Sequence, residues 1–247
     1  MEQEKSETER IAEIYQALLR DAEKYRRRFP DLTDERIYNL HSNLLIRVAS
    51  EYVMLPQMRT FVVDDYNRRL LRFLLYYFNN CPLAEQVFPE RRYKLSKPLF
   101  LTGNSGTGKT MLMQVFAEYL RRTNNPNRFE NLSVTQMVNY YTLHNNLDKY
   151  TYNEEHCSGF RVDPVNICLN DIGLQSKTFY GMDTKKLIDE FIHARYEIWT
   201  QYGGKRAHLT SNLNIAQLKK EFADGYGRII DRFKSYNMIE VTGPSRR

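Results

Sequence analysis

Apolar residues in the first third of the chain recur at intervals of three and four, the spacing of one face of an α-helix. The first such stripe begins at Ile11 and ends at Phe29, just before Pro30. A second stripe covers residues 37–52, and a third segment, 64–79, is apolar on most sides. The pattern predicts three helices, of which the third is buried. We interpret the first as a helix that packs on its neighbours, with a docking helix for another protein as the alternative.

From residue 98 onward, short apolar runs alternate with longer amphipathic segments. The predicted strands are 98–102, 129–132, 165–173, 208–213 and 238–241. The predicted helices are 111–120, 134–143, 184–201, 215–222 and 228–233. Such alternation is typical of a three-layer α/β fold with a parallel sheet and right-handed crossovers. We expect a small helical N-terminal module at 1–58, suited to binding a partner, and a sheet domain at 59–247.

The segment Gly103–Thr110, GNSGTGKT, matches the phosphate-loop pattern G-x-x-x-x-G-K-[ST] at every fixed position. It lies between a predicted strand and a predicted helix, which is the context that this motif requires. Loop N–H groups and the helix N-terminus bind phosphate, Lys109 reaches the β- and γ-phosphates, and the Thr110 hydroxyl is a Mg²⁺ ligand. The sequence therefore predicts a P-loop NTPase that uses ATP and Mg²⁺. The predicted nucleotide-binding residues are Gly103, Asn104, Ser105, Gly106, Thr107, Gly108, Lys109, Thr110 and Met111.

A second motif, which contains an acidic residue, follows about sixty residues after Lys109. The apolar strand in ICLNDIG ends at Asn170-Asp171. In phosphate-loop ATPases a carboxylate at this place lies beside Mg²⁺ and the attacking water. We therefore expect Thr110 and Asp171 to form the metal site.

Composition adds little about function but excludes some classes. The 247 residues carry a formal net charge of +6, which favours polyanionic partners only weakly. No apolar run approaches the about 20 residues that span a bilayer, so we expect no membrane association. The three cysteines, Cys81, Cys157 and Cys168, are irregularly spaced, which favours a reducing cytoplasm over a disulfide framework.

Taken together, five motifs resemble one family. GNSGTGKT, ICLNDIG, HLTSNL, YGRIIDRF and the terminal GPSRR occur in that order. This set is similar to the DnaC/IstB group of AAA+ ATPases, which are bacterial helicase loaders and transposition helpers. The resemblance covers roughly 65–247. It implies an AAA+ core without the separate helical lid of larger AAA+ proteins.

The resemblance also implies roles for individual residues. Asp171 stands where the family polarises the attacking water, and Asn212 matches the polar residue that reads the γ-phosphate. Arg232 matches the arginine that reaches a neighbouring subunit's ATP site, with Arg228 as the alternative. Together with Lys109, these are the predicted catalytic residues, and they imply a homo-oligomer.

One position departs from the family pattern. Asn170 stands where the family usually has the first Asp, which holds a Mg²⁺-bound water. An amide can still accept a hydrogen bond from that water, but it adds no charge. Either hydrolysis is slow and nucleotide binding is the main event, or Asp171 does both tasks.

The segment after residue 139 mixes aromatic side chains with a cation, the combination that binds single-stranded nucleic acid. The candidate DNA contacts are Tyr140, Tyr141, Lys149 and Tyr150. Packing against the protein is the alternative for the tyrosines.

Three functions fit these observations. The first is a DnaC-like ATPase that loads a replicative helicase onto single-stranded DNA. The second is an IstB-like helper that binds DNA and a transposase. The third is a nucleotide-dependent adaptor with negligible hydrolysis. The first two share every motif, so only their partners distinguish them.

Overall fold

The protein, described here from a computed structural model, folds around a five-stranded parallel sheet. The structure describes residues 6–152, 164–173, 183–201, 204–223 and 228–246. The strands are β1 (Leu99–Thr102), β2 (Phe129–Ser133), β3 (Asn166–Ile172), β4 (Ala207–Ser211) and β5 (Asn237–Glu240). Their order across the sheet is β2-β3-β4-β1-β5. All five predicted strands are therefore confirmed, with bounds shifted by one or two residues.

Helices cover both faces of the sheet. They are α1 (Glu7–Arg26), α2 (Glu35–Val48), α3 (Arg68–Phe78), α4 (Ala84–Val87), α5 (Lys109–Arg122), α6 (Val134–His144), α7 (Thr184–Gln201), α8 (Ile215–Glu221) and α9 (Arg228–Phe233). A π-helical turn, Ala49–Met54, extends α2. No helix among the described residues is both long and apolar enough to cross a membrane.

The core has two halves because successive residues of a strand face opposite sides of the sheet. Leu99 and Leu101 of β1 join the buried residues of α2, α3 and α5 on one side. Phe100, between them, packs with α6, α7, α8 and α9 on the other. Strands buried on both faces are expected to be mainly apolar, as β1 is at its first three residues, Leu99, Phe100 and Leu101. The predicted three-layer α/β fold is confirmed.

The first helix differs from its prediction. None of its residues is buried, and Ile11, Tyr15 and Leu18 are each 60–62% exposed. The interpretation that this helix packs on its neighbours is therefore wrong for the described chain. Its spacing identified an apolar face correctly but carried no information about what covers that face.

The second helix packs differently. Leu45 and Val48 of α2, with Ala49 of the turn that follows, lie in the same core cluster as α3 and α5. The change in packing thus falls between α1 and α2. The division of the chain at residue 58 stays a prediction.

Two of the three cysteines lie among the described residues. Cys81 and Cys168 are free and buried. Cys157 lies outside the described residues.

Candidate nucleotide site

The phosphate loop connects β1 to α5 at the carboxyl edge of the sheet. In the sheet, β1 lies between β4 and β5, and both of these strands come later in the sequence. Such switch points of parallel sheets are where α/β proteins bind ligands. Gly108 precedes the first turn of α5 with φ of 93°, a conformation that a β-carbon would strain. Because the first N–H groups of a helix have no partner within it, those at the start of α5 can bind a ligand at the loop.

Lys109 is almost fully buried beneath this loop. Its ammonium donates hydrogen bonds of 2.8 Å to the carbonyl oxygens of Gly103 and Asn104, and a longer one of 3.4 Å to the Thr107 hydroxyl. A buried ammonium needs such acceptors, since an uncompensated charge is costly to bury. The loop backbone therefore fixes the position of the Lys109 ammonium, which is the only charged group in the motif.

Asp171 brings the second half of the site to the loop. Its carboxylate oxygens lie 3.4 and 3.5 Å from the Thr110 hydroxyl. One of them also accepts a hydrogen bond of 3.2 Å from the side-chain amide of Asn212. Thr110 and Asn212, predicted from two other motifs, thus both contact the Asp171 carboxylate.

The geometry of β3 explains why Asp171 faces the loop. The register between β3 and β4 shifts between Leu169 and Ile172, and Asp171 has a φ of 64°. Its N–H donates to the Thr210 hydroxyl at 2.9 Å. This irregular strand end turns the Asp171 side chain towards Thr110.

Asn170 lies on the interior side of the same turn. It is buried, and its amide nitrogen donates to the side-chain oxygen of Asn131 at 3.1 Å. Its side-chain oxygen accepts from Thr210 at 3.3 Å. Asn170 is not among the residues that line the cavity at the loop. Its role in binding a metal through water stays a prediction, and the bonds seen here give it a structural function.

A cavity of about 510 Å³ opens above the loop. It is lined by predicted residues, namely Ser105, Gly106, Gly108, Lys109, Thr110, Met111, Asp171 and Asn212, together with Arg59, Gln114 and Arg246. The last three were not predicted. Gln114 lies four residues after Thr110, so helical spacing could have indicated it. Arg246 belongs to the terminal motif, and no sequence signal marked Arg59.

Arg232 lies apart from this cavity. Its guanidinium donates to His193 Nδ1 at 2.8 Å and lies 5.2 Å above the Tyr196 ring. Both partners belong to α7, which packs against α9. Arg228 is exposed at the start of α9. Neither arginine lines the cavity of its own chain.

The candidate DNA contacts gather at the end of α6. Tyr140 stacks on His144 with ring centroids 4.2 Å apart and contacts Tyr150 at 5.0 Å. The Lys149 ammonium lies 5.7 Å from the Tyr140 ring. Tyr141 and Tyr150 also pack partly against the core. The aromatic side chains of this segment thus lie close together, and two of the tyrosines also pack against the core, as the alternative predicted.

Comparisons with known proteins found matches among solved structures. No family model matches the sequence, and no curated protein matches it. Among solved structures, the DnaC helicase loader matches with a TM-score of 0.50 and 17% identity, over 78% of this chain and 98% of that one. The replication initiator DnaA, bound to AMPPCP and single-stranded DNA, matches with a TM-score of 0.51 and 18% identity, over 79% and 51%.

AMPPCP-bound DnaA from Aquifex aeolicus also matches, with a TM-score of 0.48 and 18% identity, over 78% of this chain and 51% of that one. The chain therefore spans about half the length of these DnaA chains. At such identities the likeness concerns the fold. The chain has the fold of these DnaC and DnaA structures, and the DnaC/IstB-like resemblance that its motifs indicated is confirmed at the level of the fold.

Proposed function

We propose that this chain is an ATP-binding AAA+ protein that hydrolyses ATP at a subunit interface and loads a replicative helicase onto single-stranded DNA, as DnaC-type loaders do. One observation carries the proposal. Lys109, Thr110, Asp171 and Asn212, which come from three separate motifs, converge at the cavity beside the phosphate loop.

ATP binding rests on the loop. Residues 103–111 offer backbone N–H groups, the N-terminus of α5 and the Lys109 ammonium to a polyphosphate. The ammonium already lies within hydrogen-bonding distance of the loop backbone. To bind the β- and γ-phosphates, the ammonium needs only to exchange these carbonyl acceptors for phosphate oxygens.

The residues present fit Mg²⁺. The Thr110 hydroxyl and the Asp171 carboxylate lie together, and both are oxygen ligands of the kind this ion prefers. When bound, the ion neutralises charge on the β- and γ-phosphates. Asp171 and Thr110 would hold it.

For hydrolysis, Asp171 orients the attacking water and Asn212 contacts the γ-phosphate. The amide of Asn212 fixes the Asp171 carboxylate in place at 3.2 Å. Arg232 stabilises transition-state charge in the site of a neighbouring subunit. Its position outside the cavity of its own chain supports this assignment.

Single-stranded DNA and the helicase bind elsewhere on the chain. The stacked rings of Tyr140 and His144, with Lys149 beside them, offer a surface for bases and phosphates. The exposed apolar face of α1 suits a helix-in-groove contact with the helicase. The solved DnaC loader and the DnaA complex with single-stranded DNA share this fold, which adds support.

The direct test is steady-state phosphate release by the full chain, with and without single-stranded DNA and the cognate helicase. We expect turnover that both ligands stimulate and that Lys109→Ala abolishes. Stimulation by duplex DNA and a transposase instead would favour the transposition helper. Absence of ATP binding would refute all three functions.

A nucleotide-dependent adaptor is the second candidate, and Asn170 favours it. The family carboxylate is replaced here by a buried amide that is engaged with Asn131 and Thr210. An adaptor binds ATP and changes its contacts with little turnover. Phosphate release no faster than that of Lys109→Ala, in a chain that binds ATP, would establish it over the loader ATPase.

A further inference from the structure

The segment that follows β5 runs along the phosphate loop. The Val241 N–H donates to the Thr102 carbonyl at 2.8 Å, and the Arg246 N–H donates to the Gly106 carbonyl at 2.9 Å. We call residues 241–246 the C-terminal strap. The strap therefore follows the loop from its start at the end of β1 to its middle.

The contact between strap and loop is close. The Ser245 hydroxyl lies 2.6 Å from the place that a β-carbon on Gly106 would occupy. The Arg246 Cδ lies 3.2 Å from the corresponding place at Gly108. Because a side chain at Gly106 would displace the strap, this glycine serves the approach of the strap as well as the turn of the loop.

An ion pair with Asp64 holds the Arg246 side chain in place. Its Nη2 donates to both carboxylate oxygens of Asp64 at 2.8 Å. The Asp64 carboxylate also accepts the N–H groups of Tyr66 and Asn67, which precede α3. Hydrogen bonding from Arg246 lowers the pKa of Asp64 below its ordinary value. Arg246 is thus fixed in orientation and only 16% exposed.

Of the remaining donors of Arg246, Nε lies near the loop. Nη1 lies 3.5 Å from the Val62 carbonyl, too long for a strong bond. Nε makes no hydrogen bond to any residue that the structure describes, and lies 3.9 Å from the β-carbon place at Gly108. Arg246 lines the same cavity as Lys109 and Thr110.

We propose that Arg246 is a further phosphate-binding residue of this site, which donates to the polyphosphate from the strap while Asp64 holds its guanidinium in position. A guanidinium presents several donors in one plane, which suits phosphate oxygens better than a single ammonium does. The inference rests on the proposed binding of ATP. It adds a second cation, remote in sequence from the loop, to the phosphate contacts of Lys109.

The experiment measures the Kd for Mg-ATP and Mg-ADP by isothermal titration calorimetry on the full chain. The variants are Arg246→Ala, Arg246→Lys and Asp64→Asn. Both Arg246→Ala and Asp64→Asn break the same ion pair, but only the first removes the phosphate contact. Arg47→Ala is the matched control, because Arg47 of α2 makes an exposed ion pair with Glu51 of the following π-helical turn and does not line the cavity.

We expect Arg246→Ala to raise the Kd for ATP about tenfold, as the loss of one charge-assisted hydrogen bond predicts. Arg246→Lys should recover part of this loss. Asp64→Asn should raise the Kd by about threefold, clearly less than Arg246→Ala, since it keeps the guanidinium and loses only the group that orients it.

Two results would overturn the inference. One is an Arg246→Ala Kd within about threefold of the unchanged chain, and the other is an equal loss for Asp64→Asn, which would mean that Arg246 acts only through the packing of the strap. Failure of the proposed function itself looks different. In that case the unchanged chain and Lys109→Ala would bind ATP equally poorly.

Discussion

At the scale of single residues, most of the proposed chemistry depends on Asp171. Its positive φ is unusual for a residue with a side chain, although Asp tolerates it better than most. The conformation is held by the bond from its N–H to Thr210. Strained conformations of this kind persist where the surrounding structure fixes them, commonly at functional sites.

This position yields a first prediction. Asp171→Asn preserves size, tolerance of positive φ and the contact with Asn212, but removes the negative charge. We expect ATP binding within a few-fold of the unchanged chain and turnover reduced by about 10²–10⁴. Calorimetry and phosphate release measure the two effects. Turnover unchanged by this substitution would remove Asp171 from the catalytic role.

Most residues that line the cavity at the phosphate loop were predicted, because their motifs have fixed spacing. Lys109 and Thr110 follow from the loop pattern, and Asp171 from the strand that precedes it. Arg246 was not predicted, because it meets the loop after more than 130 intervening residues. The inward turn of Asn170 was not predicted either, since it depends on the register shift between β3 and β4.

At the scale of elements, the sequence predictions were correct where the structure depends on residues that are close together in the sequence. Ser133 and Gln136 form a capping box at the start of α6, in which each side chain bonds the other's backbone N–H. The bounds of α7, 184–201, match those expected from its apolar spacing. The predicted packing of α1 was wrong because amphipathic spacing indicates an apolar face without indicating which partner covers it.

The contrast between α1 and α2 gives the second prediction. Leu18→Ala in α1 should change the free energy of unfolding by about 0.5 kcal/mol or less, since Leu18 is 62% exposed. Leu45→Ala in α2, where the side chain is buried, should destabilise the chain by about 2–5 kcal/mol. Urea unfolding compares them. Equal losses would mean that the face of α1 is covered within the monomer.

His208 supplies the third prediction, because it lies where β4 meets the aromatic residues of α3. Its Nδ1 accepts the N–H of Leu99 at 3.0 Å. Burial, followed by the positive charges of Arg206 and Arg195, lowers the pKa of His208 well below its ordinary value. The unfolded chain therefore binds a proton at a pH where the folded chain does not, so stability falls as the pH falls.

We expect the free energy of unfolding to fall from about pH 6.5 downwards, by up to about 1.4 kcal/mol per pH unit from this group. His208→Asn keeps an acceptor for Leu99 and should make this dependence shallower. Urea unfolding between neutral and mildly acidic pH measures it, with the exposed His144→Asn as control. An unchanged pH dependence in His208→Asn would show that His208 is not the group responsible.

At the scale of the whole molecule, the site is built from distant parts of the chain. The phosphate loop, the end of β3, the end of β4 and the C-terminal strap meet at one edge of the sheet. The order of the strands determines this meeting, and the sequence predicted parallel strands without their order. Arg232 adds a further requirement, because it lies away from this cavity and its proposed function needs a neighbouring subunit.

That requirement gives the last prediction. Arg232→Ala leaves the phosphate loop intact but cannot assist a neighbour, whereas Lys109→Ala leaves Arg232 intact but cannot use its own site. We expect each variant alone to lose nearly all turnover, by about 10³–10⁵ for Arg232→Ala. Mixed in equal amounts under conditions of assembly, they should regain activity. A head-to-tail contact is productive when the loop comes from one variant and the arginine from the other, in about a quarter of random pairs.

Phosphate release from the mixture, against each variant alone at the same total concentration, measures the recovery. A parallel mixture of Arg228→Ala with Lys109→Ala identifies the arginine that acts between subunits. If Arg228→Ala alone is inactive and its mixture recovers while the Arg232→Ala mixture does not, the role belongs to Arg228. If neither mixture recovers, or if Arg232→Ala and Arg228→Ala are both fully active alone, each subunit completes its own site. Because recovery requires two different chains in one site, it cannot arise from misfolding of either variant.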